Sequence, residues 1–194
     1  SGIMGQQLSP DNTAVALLAN SIATGAGLYV LIMLCAPTSR AHFNPLVTLA
    51  AILNRDITGR VGGAYIGAQM LGGIVGVMLT HAMFDAPILQ TGTQDRASMG
   101  LWLREVIASF ALLSVILSSR QRGASQSLSQ TAALISLTIV AGYWCTSSTI
   151  FANPAVTVAR SFTDTFCGID PHHILGFISA QLVGASIAYL VWRR

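Results

Sequence analysis

Two short stretches of this 194-residue chain carry the same chemistry twice: HFNPLVTLAA at 42–51 and FANPAVTVAR at 151–160. In each, Asn precedes Pro. Asn is a favoured helix N-cap and Pro a favoured first helical residue. The Asn side-chain oxygen then accepts from the helix's free N–H groups, and its NH₂ is left as a rigid, outward-pointing donor. A helix N-terminus also carries roughly half a positive charge. If Asn44–Pro45 and Asn153–Pro154 met face to face, an opening between them would hold two fixed donors and a positive potential. Neutral solutes with an oxygen lone pair pass such a point; cations and protons are repelled. One Asn-Pro reads most simply as a cap, but two in matched surroundings ask for more.

The surroundings match because the chain repeats. With Asn44 aligned on Asn153, the next agreements are Pro45 with Pro154, Val47 with Val156, Thr48 with Thr157 and Ala50 with Ala159. Downstream, AYIGAQMLGG (64–73) resembles GFISAQLVGA (176–185), pairing Gln69 with Gln181 and Gly72 with Gly184. The Asn-to-Gln offset is 25 in one copy and 28 in the other. Two motifs in one order at near-equal spacing indicate duplication, with repeat one at 1–95 and repeat two at 96–194.

The elements that must position these motifs belong in lipid. Hydrophobic residues make up 53% of the chain and charged ones 9%, with mean hydropathy +0.63. A soluble domain carries about 25% charged residues. Apolar stretches at about 13–35, 61–83, 100–119, 129–146 and 174–192 each approach the ~20 residues that cross a bilayer core. They are rich in Gly, Ala, Ser and Thr, which lets helices approach closely. The Asn-Pro segments, about 44–54 and 153–164, are half that length. Half-helices at membrane depth survive only when buried in protein or lining a wet cavity.

Seven of the ten arginines, Arg40, Arg55, Arg60, Arg120, Arg122, Arg193 and Arg194, fall at one set of span ends. Asp11, Asp85, Asp95 and Asp170 fall at the other. The positive-inside rule makes the arginine side, and with it the C-terminus, cytoplasmic. With an odd number of spans per unit, the copies insert in opposite senses, the inverted-repeat plan of membrane transport proteins. Repeat two has two full spans before its half-helix and repeat one has a single span. We therefore expect an all-α membrane protein with six spans and two re-entrant half-helices in the intact chain. SGIMGQQLS reads as the tail of a first span mostly missing here.

These motifs resemble the two Asn-Pro-Ala boxes of the major intrinsic protein superfamily, the aquaporins and aquaglyceroporins, and the resemblance covers the whole chain. It implies a homotetramer with one pore per subunit, passive flux of small neutral solutes through the lipid bilayer, and no cofactor. It also implies that Glu105 is a structural buried acid holding loop amides; unaided, an intramembrane acid is a functional suspect. The chain departs from the family pattern at Leu46, where the first box should read Ala, and at Val156. The second box, Asn153–Pro154–Ala155, should continue with an arginine that narrows the outer pore. Counting back from the two Asn residues, the other filter positions are Thr24, Ala141 (or Gly142 with a one-residue gap) and Ile150. The filter of Thr24, Ala141, Ile150 and Val156 is wide, mostly apolar and uncharged. With TSSTIFANPAVT before DTF, this is similar to channels encoded alongside bacterial arsenic-resistance genes, which pass undissociated arsenite and similar molecules. That places the chain in a bacterial inner membrane.

Arg160 lies one turn beyond Val156, about 6 Å along the helix. Two readings stand: a displaced charge at the outer mouth, or a pair with Asp164 at i+4 or with the interface. His42 either ties down its loop or gates by protonation. His81, His172 and His173 have no metal-ligand spacing. Cys35, Cys145 and Cys167 read as buried fillers, with a soft-metal thiol role as the other reading. Met70, Trp144 and Phe177 read as fillers. The net charge of +3 is too small and scattered for nucleic acid. No Ser-His, paired-Asp or His-metal set lies inside the spans, so the chain is not read as an enzyme. Only Glu105 is acidic within a span, which argues against a coupled transporter. Two further readings stay on the page: an ordinary water-selective channel, and a junction protein of the same fold without flux.

Overall fold

The computed structural model describes residues 1–146 and 149–193. Ser147 and Ser148 of the quoted stretch, and Arg194 of the basic end, lie outside the described residues. Every regular element among the described residues is helical. They are α1 (Gly2–Leu8), α2 (Thr13–Ser39), α3 (Pro45–Leu53), α4 (Gly59–Met83), α5 (Met99–Arg122), α6 (Leu128–Cys145), α7 (Pro154–Arg160) and α8 (Ile174–Trp192). One-turn 3₁₀ segments follow α5 and precede α8. The five predicted spans coincide with α2, α4, α5, α6 and α8, each long and apolar enough to cross a membrane.

Four of the five spans, α2, α4, α5 and α6, start on a side-chain cap, because free N–H groups at a helix start need acceptors. Asn12 accepts from Ala14 and Val15, Thr58 from Val61 and Ser98 from Leu101. Ser127 and Gln130 form a reciprocal capping box at α6. The half-helices are shorter than predicted, nine residues in α3 and seven in α7. The last predicted turn of α7 instead opens into the 161–173 connection, which folds onto the 84–98 connection.

Outward faces stay apolar: Leu34, Leu71, Leu137 and Val191 are exposed. Lipid offers no hydrophobic gain on helix association, so close packing must hold the bundle. α5 and α8 share the most extensive interface, followed by α2 with α6. At Gly184 a β-carbon would stand 2.1 Å from the Val106 carbonyl oxygen, so the α5–α8 approach requires glycine. α1 packs on α2, α4 on α7, and α3 on α4. The two half-helices touch each other end to end at the centre.

Arg40, Asp56 and Arg120 gather at one end of the bundle, where Arg120 pairs with Asp56 through both carboxylate oxygens. Gln121 donates to the Trp192 carbonyl there, which brings the C-terminal helix to the same end. Asp95, Asp164, Asp170 and Arg160 gather at the opposite end.

Candidate functional site: a passage between two half-helices

Asn44 caps α3 by accepting from the Leu46 N–H at 2.9 Å. Asn153 caps α7 by accepting from Ala155 and Val156 at 3.0 and 3.3 Å. Each NH₂ then reaches across the centre. Asn44 Nδ2 donates to the Ala152 carbonyl at 2.7 Å, and Asn153 Nδ2 donates to the Phe43 carbonyl at 2.9 Å. Each acceptor is the residue just before the opposite Asn, so the two caps are reciprocal. An NH₂ has two protons, and each crossing uses one.

Matched struts hold both caps. Thr48 Oγ1 donates to the Asn44 carbonyl, and Gln69 Nε2 donates to Thr48 Oγ1 at 3.0 Å. Thr157 Oγ1 donates to the Asn153 carbonyl, and Gln181 Nε2 donates to Thr157 Oγ1 at 2.8 Å. Gln181 Nε2 also donates to Glu105 at 2.7 Å. Fully buried Glu105 accepts from the N–H groups of Phe151 and Ala152 at 3.1 and 2.8 Å. A carboxylate with this many donors is held by the backbone it holds. Four and three residues before each Asn the chain takes positive φ: Arg40 (57°) and Ala41 (51°), Thr149 (62°) and Ile150 (43°). A β-branched residue at positive φ is rare and strained, and strain of this kind is kept where surrounding contacts over-determine it.

A continuous cavity of about 710 Å³ runs past both Asn residues, from Arg120 at one end to Arg160 at the other. A smaller cavity of about 240 Å³ adjoins the Arg40, Asp56 and Arg120 end. Near Arg160 the walls are Thr24, Tyr143, Ile150, Val156 and Phe151. The Arg160 guanidinium donates to Thr149 Oγ1 at 2.8 Å and to the Tyr143 hydroxyl at 3.5 Å, and lies 4.3 Å from the Phe151 ring centroid. The Tyr143 hydroxyl is 3.2 Å from Thr24 Oγ1. Arg160 is thus turned to the passage. Asp164, its expected i+4 partner, instead accepts from the N–H and hydroxyl of Thr93.

Thr24, Ile150 and Val156 line the same cavity. Ala141 does not. It is exposed on the far face of α6, whose cavity face is Ile135, Ile139 and Tyr143 at four-residue steps. A residue two positions from Tyr143 is turned about 200° around the helix, so counting along the chain lands on the wrong side. Gly142 packs against Ile150, where a β-carbon would collide with its side chain. Leu46 is buried in a packing cluster, Ala155 is buried too, neither lines the passage, and Pro45 and Pro154 are buried at N1.

His42 lines the passage beside Asn44, packs edge-on to Tyr65 at 5.5 Å, and its carbonyl accepts from Gln69. Buried His81 bonds the Ile88 carbonyl and Thr163, tying α4 to the 161–173 connection. No group of His, Cys, Asp or Glu suited to a metal ion occurs among the described residues. The three cysteines are unpaired with one another. Cys145 is exposed and not the buried filler expected. Cys167 sits under the Arg160 mouth with its thiol pushed above the usual range by burial.

Three residues at this mouth were not legible in the spacing: Tyr143, Thr149 and Arg96. The helical phase of Ile135 and Ile139 points to Tyr143. No local pattern points to Arg96, a buried arginine contributed by the 84–98 connection.

The family described as Major intrinsic protein matches residues 2–192. The chain is 46% identical over 193 residues to Aquaglyceroporin AqpS of Rhizobium meliloti (strain 1021), covering 100% of this chain and 81% of that protein. It is 29% identical over 180 residues to the probable aquaporin TIP2-2 of Oryza sativa subsp. japonica, covering 91% and 71%. It is 28% identical over 181 residues to aquaporin TIP2-3 of Arabidopsis thaliana, again covering 91% and 71%.

Proposed function

The chain belongs to the major intrinsic protein family, whose members are membrane channels and not enzymes, and from that premise we propose a passive pore for small uncharged solutes. Its cargo is glycerol-like polyols, undissociated arsenite and related metalloid acids, with water passing too. The observation that carries this reading is the mouth of the passage. Val156 stands where the family resemblance puts an arginine, and an apolar side chain there leaves a wider opening. The likeness to a protein named an aquaglyceroporin supports the glycerol and water part of that cargo.

Selectivity in this reading has two layers. At the centre, the second proton of each Asn NH₂ is the donor for a passing oxygen lone pair. Both half-helix N-termini point their positive ends at the same place, so an arriving cation meets repulsion and no anionic ligand. At the mouth, Thr24, Tyr143, Ile150 and Val156 set the width, and Arg160 supplies a displaced positive charge. Glu105 acts by fixing the Phe151–Ala152 backbone. Repeats 1–95 and 96–194 form one channel unit, the unit assembles as a homotetramer, and the protein lies in a bacterial inner membrane with its C-terminus cytoplasmic.

The second reading, an ordinary water-selective channel, has one observation in its favour. Arg160 reaches the ring of Thr149 and Tyr143 and restores a guanidinium near the mouth. The deciding experiment uses the full-length protein in liposomes. Stopped-flow light scattering follows water, glycerol and neutral arsenite uptake for the wild type and for Val156→Arg. Under the proposal the wild type passes all three, and the substitution shuts out the larger two while sparing water. A wild type that passes only water establishes the second reading.

A further inference from the structure

Arg96 sits where a charge is costly. It is 6% exposed, yet it comes from a connection and not from a span. Its Nε donates to the Gly168 carbonyl at 2.8 Å and its Nη2 to the Phe166 carbonyl at 3.1 Å. Its backbone N–H donates to His173 Nδ1 at 3.0 Å. One side chain therefore binds the 84–98 connection to the 161–173 connection. At Gly92 the two connections run so close that a β-carbon would stand 2.4 Å from the Ile169 carbonyl oxygen.

The same guanidinium lies 5.0 Å from the centroid of the Phe151 ring, the ring that also carries Arg160 at 4.3 Å. Phe151 cannot yield: its N–H is held by Glu105, and Phe177 meets its ring edge-on at 5.3 Å. Two like charges thus share one aromatic ring. Burial first, and the Arg160 charge second, pull the Arg96 guanidinium down to about 10. An apolar side chain would fill this space without that cost, as replacing buried ions by apolar groups is often neutral or stabilising.

The shared ring explains what the cost achieves. Without Arg96, nothing on the far side of the Phe151 ring would repel the Arg160 guanidinium. With Arg96 in place, repulsion between the two guanidinia keeps Arg160 on the passage side of the ring. We infer that Arg96 is a positioning residue for the cation barrier: its charge, set across the Phe151 ring, holds the Arg160 guanidinium toward the passage. This rests on the channel reading above.

The test uses the full-length protein in liposomes, with potassium leak under an imposed gradient and glycerol uptake measured on the same vesicles. Arg96→Met keeps an apolar chain against Phe151 and removes the charge; Arg96→Lys keeps the charge. Arg96→Met is expected to raise potassium leak about tenfold, while Arg96→Lys stays within about twofold and glycerol uptake of both within about threefold of wild type. A well-folded Arg96→Met that leaks like wild type overturns the inference, as does Arg96→Lys leaking as much as Arg96→Met. Should Arg96→Met fail to fold, Phe151→Leu decides. Loss of the shared ring is expected to raise the leak as well, and an unchanged leak refutes the inference. A wild type that excludes glycerol defeats the solute reading and leaves the leak comparison intact.

Discussion

Asn44 and Asn153 lock each other's helix start: each donates its side-chain amide to the carbonyl just before the other, at 2.7 and 2.9 Å. The two half-helices touch end to end, so this pair of bonds is their central join. It also sets where the two spare amide protons point.

Asn153→Ala removes the α7 cap and leaves the Phe43 carbonyl without its donor. A lost cap costs about 1 kcal/mol, and the lost crossing hydrogen bond, which is not buried, about 0.5–1.5 kcal/mol. The variant is expected to unfold at lower temperature in detergent and to carry less water and glycerol. Asn44→Ala should behave alike, because the join is reciprocal. Wild-type melting and flux in both variants would show that the join carries nothing.

Tyr143 and Ala141 separate the observed α6 face from the one that counting along the chain selects. Tyr143→Ala is expected to widen the mouth and raise flux of solutes larger than glycerol. Ala141→Leu, on the exposed face, should leave every solute flux within about twofold of wild type, as surface changes usually do. The pair is scored by liposome swelling in a graded series of polyols. The reverse pattern would return the filter to Ala141.

Arg160→Ala removes the displaced charge at the mouth without touching the Asn pair. Solute selectivity should broaden, and the dependence of flux on ionic strength should fall, since exposed charges are screened within about 8 Å at physiological salt. Unchanged selectivity and unchanged salt dependence would reduce Arg160 to a loop tie through Thr149.

Glu105→Gln keeps the shape but replaces two charged acceptor oxygens with one neutral one. The Phe151 and Ala152 N–H groups, both buried, then compete for it, at a cost of about 1–3 kcal/mol. Lower thermal stability with normal ion exclusion is the expected result. A gain or loss of proton coupling under a pH gradient would instead make Glu105 part of a proton path.

Much of this protein follows from the sequence alone. Asn-Pro twice in matched surroundings dictates two capped half-helices, because capping chemistry is local. Five apolar stretches of spanning length dictate five long helices for the same reason. The Gln69 and Gln181 correspondence anticipates the matched struts on Thr48 and Thr157. What the sequence left open is which side chains share a surface once helices are wound and packed. Ala141 and Tyr143 are two residues apart yet face opposite ways, and only the orientation of α6 against α2 selects Tyr143. Arg160 had two partners within reach, and the fold of the 84–98 connection occupied Asp164 with Thr93. Arg96 carries no motif at all. Its role arises because two connections far apart in the chain meet under one phenylalanine ring, a contact that no local spacing encodes.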